Sequence, residues 1–393
     1  MGRHRMEQGL PFYLLVGFAI SAVGGPLALA VLNVPQYSGP GYSPFIVVLV
    51  ASLLFASAIA VWYRYSKVVA SSGGLYEFVR RAAGPRVAKA QGLAWSLSYF
   101  LYLPYTVTYI SFYMLPGMLG MAPAYSYALE LIIPAAIIAV MLAGRRMPFF
   151  LLLALACTQV ALVVVLGLVA FAHAGLGASA ILPYGTAPAT VLQNAMPASL
   201  LFVCAGLPLF LGGEAAGGRR AIRKALATAF AVTVAILLLY AALANGAAGI
   251  YHGYVYPGYH IALASGGQGF AVVVGLLAVL SIVGLIIAEF VALGRLAHHA
   301  LGIGVPRANL YVAIAFIAFD AMSLVDPTAF YGYALFISLL ALYASQLIVF
   351  VVYPIFARKH FGLSSIDIVL ASVASIIMAY GLYTVLLQAV PYG

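Results

Sequence analysis

The sequence predicts an all-α polytopic membrane protein of eleven spans. Three observations predict it: the composition, the sidedness of the basic residues, and two apolar spans that carry helix-breaking residues near their middles. Hydrophobic residues make up 65% of the 393 positions and charged residues only 7%, against the roughly 25–35% charge that a water-facing surface carries. The net charge of +10 therefore poses a question of membrane sidedness and is no footprint for nucleic acid.

Hydropathy places the spans at about 10–33, 43–65, 90–115, 127–143, 148–173, 195–216, 221–243, 268–296, 308–325, 328–354 and 365–389. By span parity all 18 Lys and Arg then fall on one side. Arg3 and Arg5 precede the first span, Arg64 to Lys89 follow the second, and Arg145 and Arg146 follow the fourth. Arg219 to Lys224, Arg295 with Arg307, and Arg358 with Lys359 follow the sixth, eighth and tenth. The positive-inside rule makes that side, and the N-terminus, cytoplasmic and puts the C-terminus outside. A miscounted span would scatter these charges, so the same pattern supports the count.

The first span has no charge but holds Gly24, Gly25 and Pro26 near its middle. Unwound backbone in hydrocarbon survives only where protein or a cavity covers it, so a polar site is expected there. The apolar run is also too long for a signal-peptide core. The sixth span, oriented oppositely, holds Gly206 and Pro208. Paired breaks in two halves point to the midplane binding site of a secondary transporter. The chain divides accordingly into a cytoplasmic N-terminus (1–9), a first five-helix repeat (10–173), an outer loop (174–194), a second, inverted repeat (195–354), and a cytoplasmic loop with the eleventh helix (355–393).

Between these landmarks, the third span sets Tyr99, Tyr102, Tyr105, Tyr109 and Tyr113 at three- and four-residue spacing, among Ser98, Thr106 and Thr108. Such a face lines a path or ties helices together. The tyrosine-rich stretch 244–267 is long for a helix connection and leaves room for a lid. Cys157 and Cys204 read as small buried apolar residues. Of the seven histidines, His173, His252 and His260 are expected at the outer side and His4, His298, His299 and His360 at the inner side, so no His–carboxylate pair forms at depth and an intramembrane enzyme is not expected.

At each break a helix offers free carbonyls on one side and free amides on the other; the first attract cations and the second anions. The residues expected to bind at the first break are Ser21, Ala22, Val23, Gly24, Gly25 and Leu27, and in the sixth span Cys204, Ala205, Gly206, Leu207, Pro208, Leu209 and Phe210. Paired breaks of this kind suit an α-amino acid, and the apolar run from Leu207 to Phe210 suits a neutral or hydrophobic one. Phe210 either gates the site or packs in the bundle.

One stretch carries a family resemblance. Ser71-Ser72-Gly73-Gly74-Leu75-Tyr76-Glu77-Phe78, then Gly84-Pro85 and Gly92-Leu93-Ala94-Trp95, resemble the Gly-Gly-x-Tyr loop, the turn and the Gly-x-x-Trp helix start of the amino acid–polyamine–organocation superfamily. Phe210-Leu211-Gly212-Gly213-Glu214 is similar to that family's sixth-span pattern. The first-span turn departs from it, because Pro26 stands where the family signature is Gly-x-Gly-Ile. The resemblance implies a LeuT-like 5+5 inverted repeat with helices 1 and 6 broken, plus one extra C-terminal helix. It further implies a permease in the bilayer, without cofactor, that moves a small molecule by alternating access, with the substrate carboxylate at the first break and the ammonium on carbonyls of the sixth span.

It also implies an inner-gating role for Glu214. Tyr102 and Tyr105 are expected along the path. Glu289, in the inner half of the eighth span, lies where this fold shares a cation between the first and eighth helices. Because that span offers only Ser281 as a hydroxyl, a coupling proton carried by Glu289, or exchange, is expected rather than sodium. The alternatives are a structural pairing of Glu289 with Arg64 or Arg295, an exporter or exchanger of polyamines or another organic cation, and a membrane sensor that does not transport.

Overall fold

A computed structural model describes residues 9–39, 41–177 and 187–389. Arg3, Arg5 and nearly all of the predicted N-terminal segment, and half of the loop predicted at 174–194, lie outside the described residues. The described chain is a helical bundle in which ten helices are long and apolar enough to cross a membrane. A further rod, Pro85–Thr108 continued through a π-helical turn, Tyr109–Met114, into Leu115–Leu119, corresponds to the predicted third span.

The first span is two helices, Phe12–Ala22 and Pro26–Leu32. Between them Gly24 and Gly25 take φ of 101° and 68°, values that a residue with a Cβ adopts only at a cost. Pro26 then opens the second piece at the position where its missing N–H costs no helical bond. Nearly all of both pieces is buried, packed among the fifth, sixth, seventh and eighth spans.

The sixth span differs from expectation. It begins earlier, as an α-helix over Pro188–Ser199, and then continues as a 3-10 helix over Leu200–Leu211. Its backbone runs wound through Gly206 and Pro208 instead of coming apart there. In the 3-10 pattern the missing N–H of Pro208 removes the bond to the carbonyl of Ala205. A 3-10 run of 12 residues is uncommonly long.

The stretch 244–267 is also not a loose lid. It folds as a short helix, Asn245–Tyr251, and then a longer one from Pro257 that is divided at Gly267 (φ 76°, ψ 179°) from the eighth span proper, which runs to Leu301. A Cβ on Gly258 would come within 2.5 Å of the Val31 backbone, so this helix rests directly on the outer piece of the first span.

Side-chain contacts gather the basic loops at one end. Arg219 donates to the carbonyls of Lys67 and Val68, and Lys359 to that of Ala82 at 2.8 Å. Arg145 and Arg295 both pair with Glu214. Loops after the second, fourth, sixth, eighth and tenth spans thus meet at one end, as the predicted alternation of spans requires. At the same end Phe78 stacks on Tyr65 with ring centroids 4.6 Å apart.

Candidate functional site

The break in the first span faces three other spans. Beside Gly24 stands the carbonyl of Leu201, 3.4 Å from where a Cβ would sit. Beside Gly25 stand the Ser281 hydroxyl, which would overlap a Cβ, and Gln159 Oε1, 3.0 Å from one. The Ser281 hydroxyl donates to Gln159 Oε1 at 2.8 Å and accepts from the Ala28 amide at 3.3 Å. Ser21 is tied to the fifth span through its hydroxyl and the Leu152 carbonyl, 3.2 Å away. So the fifth and eighth spans hold the two pieces of the first apart and already satisfy one of the freed amides.

The matching point on the sixth span is not Gly206 to Pro208. Leu201 lies at the switch from α to 3-10 winding, and at about 2 Å per residue Gly206 is ~10 Å further towards the basic end and Phe210 ~18 Å. Gly206 packs on Trp62, 3.4 Å from a built Cβ. Phe210 is buried against Trp95, centroids 4.3 Å apart, and against Gly74, whose φ of 47° brings the chain under the ring. Leu207, Pro208, Leu209 and Phe210 are therefore core residues near the basic end, and Phe210 does not cover the break. Their apolar character reflects packing.

One layer below the break lies a buried acid. Glu289 is fully buried; the Cys204 thiol donates to its Oε1 at 3.6 Å, and its Oε2 has no partner among the described residues. Tyr99, Tyr102 and Tyr105 lie close enough to feel its charge. The third-span tyrosine face is thus partly a lining around Glu289 and partly a tie, since Ser98 bonds Ser338 of the tenth span and Tyr109 and Tyr113 pack on Tyr331. Glu289 pairs with neither Arg64, which holds Asp367 at 3.0 Å, nor Arg295. Cys204 is buried as expected, but Cys157 is exposed on the outside of the bundle.

At the basic end Glu214 pairs with the buried Arg295, and with Arg145 at 3.5 Å. Its own backbone carbonyl accepts from the Leu10 amide at 2.7 Å, and the Leu10 carbonyl accepts from the Ala216 amide at 3.0 Å. This clasp ties the start of the first span to the end of the sixth and to the fourth–fifth loop. Beside it Glu77 holds Arg80 at 2.6 Å and Arg81 at 3.0 Å. Burial pushes the Glu77 carboxyl up, but the two guanidinium hydrogen bonds outweigh it and hold the group below its ordinary value. The sequence reading missed Gln159 and Glu130. Each is a lone amide or acid in an apolar span, a signal that was available.

No family model matches the sequence, and no curated protein matches it. Solved structures do match its shape. A Na+-coupled sialic acid symporter aligns with a TM-score of 0.61 over 98% of this chain and 91% of its own, at 12% identity. MhsT in complex with L-phenylalanine aligns at 0.63 over 95% and 98%, at 13% identity. The Eremococcus coleocola manganese transporter aligns at 0.57 over 95% and 87%, at 11% identity. The fold is LeuT-type. At these identities the likeness fixes the architecture and leaves the cargo open.

Proposed function

We propose that this chain is a secondary active transporter that moves small organic zwitterions, neutral amino acids foremost, by alternating access with a coupled proton, and that its basic end faces the cytoplasm. The observation that carries the reading is the buried interruption at Val23 to Gly25, which faces the Leu201 carbonyl where the sixth span changes winding. Carbonyls from the inner piece of the first span and from Leu201 can take an ammonium, while the Leu27 amide and the Gln159 amide group can take a carboxylate. The Glu214 clasp lies on the basic side of the break and the helix seated on Val31 on the other, and in this reading their movement opens the two sides in turn. Glu289, buried with one oxygen unpartnered, is the group positioned to load and release the proton. The fold is shared with the sialic acid symporter and the manganese transporter.

Uptake into proteoliposomes tests this. Labelled neutral amino acids should accumulate under an inward proton gradient, and Glu289→Gln should abolish accumulation while leaving counterflow exchange. A full amino acid panel without competable uptake under either proton or sodium gradients overturns the reading. Glu289 also favours a second one, because an unpaired carboxylate ringed by phenols suits an organic cation. Spermidine or a similar polyamine outcompeting every amino acid would select it, and binding without counterflow would select a sensor.

A further inference from the structure

A second buried acid lies outside the site described above. Glu130, on the fourth span, is fully buried. Its Oε1 is 2.6 Å from the Thr108 hydroxyl of the third span and 2.5 Å from the Ser323 hydroxyl of the ninth, while its Oε2 has no partner among the described residues. Asp320, one turn before Ser323 and 2% exposed, has its Oδ1 likewise unpartnered among the described residues, and its own carbonyl stands 2.6 Å from the same Ser323 hydroxyl that reaches Glu130.

The third span contributes a further sign of a missing ligand. Its π-helical turn, Tyr109–Met114, is the kind of bulge that re-aims a side chain at a functional position. Ser111, within this turn, faces Glu130, yet its hydroxyl is fully buried and makes no completed hydrogen bond among the described residues. The protons also fall short of the acceptors. Thr108 stands within reach of the Pro104 carbonyl as well as Glu130, and Ser323 within reach of the Asp320 carbonyl as well as Glu130. Each hydroxyl has one hydrogen to give. Among the described residues no Lys, Arg or His forms an ion pair with either acid. The facing groups are the three hydroxyls and the other carboxylate.

We propose that Glu130 and Asp320 form a two-carboxylate site that holds one shared, exchangeable proton between the third, fourth and ninth spans. Two like charges buried together without a counter-ion cannot both ionise cheaply, so the pair retains a proton that neither acid would hold as firmly alone. That proton completes the hydrogen bonding of Oε2 or Oδ1 and ties the fourth span to the ninth. Its release leaves two carboxylates repelling across the π-helical turn, which makes the site a protonation-controlled contact within these spans, separate from Glu289.

Infrared titration of the purified full-length protein tests this without requiring any transport. The wild type should show a deuterium-sensitive absorption of protonated carboxyl that fades with rising pH. Its midpoint should move to lower pH in both Glu130→Gln and Asp320→Asn, because the remaining acid loses its repelling neighbour, and the double variant should lose that component altogether. Glu289→Gln serves as the background and should leave it in place. Ser323→Ala keeps both acids and removes a donor to the ionised form, so its midpoint should move to higher pH; this arm stands even where the carboxamide variants fail to fold. A component unchanged in both single variants, or fully retained in the double variant, or a Ser323→Ala titration identical to wild type, overturns the proposal.

Discussion

The first and sixth spans carry similar helix-breaking residues and solve the same problem differently. In the first, Gly24 and Gly25 adopt positive φ and the chain comes apart; in the sixth, Gly206 and Pro208 sit inside a continuous 3-10 helix. The difference lies in what stands opposite. Ser281 and Gln159 press against Gly25 from two spans and supply a hydrogen bond to the freed Ala28 amide, so unwinding there is compensated. Around Gly206 the three nearest atoms to a built Cβ are ring carbons of Trp62, with no polar side-chain atom among them. The chain therefore keeps its internal bonds by winding more tightly. A glycine–proline pair licenses a break, and only the facing surface decides whether one forms.

Four measurements sharpen or break this contrast. The largest effect belongs to Gly25→Ala, which forces a Cβ onto the Ser281 hydroxyl at a positive φ. Backbone strain and overpacking together should cost about 2–5 kcal/mol, read as loss of folded protein or a strongly lowered Tm in detergent. Ser281→Ala should cost about 1–2 kcal/mol, because the Ala28 amide and Gln159 Oε1 lose their shared partner. A Tm equal to wild type in either variant would mean that the break is not held as described.

Gly206→Ala is the control in the wound span. Its φ is not positive and its nearest neighbour is at ordinary contact distance, so the change in stability should stay within about 1 kcal/mol. A collapse as large as that of Gly25→Ala would show that the sixth span opens as well. The smallest effect concerns pH. The folded Glu77 carboxyl is held below its unfolded value. Its contribution is therefore complete above the ordinary glutamate range and is lost as pH falls through the lower folded value. Tm should drop on acidification past that range, and Glu77→Gln should flatten the drop while lowering Tm at neutral pH.

The clasp at Glu214 was legible only in part. That the acid belongs to the basic end followed from its place before Arg219, but its partners are Arg295 and Arg145, while Arg219 caps the carbonyls of Lys67 and Val68. Charge proximity along the chain says nothing about which loop folds over which. The same holds for Phe210, whose place beside the expected break suggested a gate until Trp95 and Gly74 were found against it.

By itself the sequence determined the apolar helical bundle, the gathering of the basic loops at one end and the break in the first span. These rest on properties that each segment carries alone: apolar length, glycine's tolerance of positive φ, and the exclusion of Lys and Arg from one face. Only the tertiary structure decided that the sixth span stays wound, that its matching point is Leu201, and that Gln159, Ser281 and Glu130 are drawn into polar clusters. Those outcomes depend on which residues of distant spans come within hydrogen-bond reach, and a bare polar group in an apolar interior takes whatever partner the packing brings.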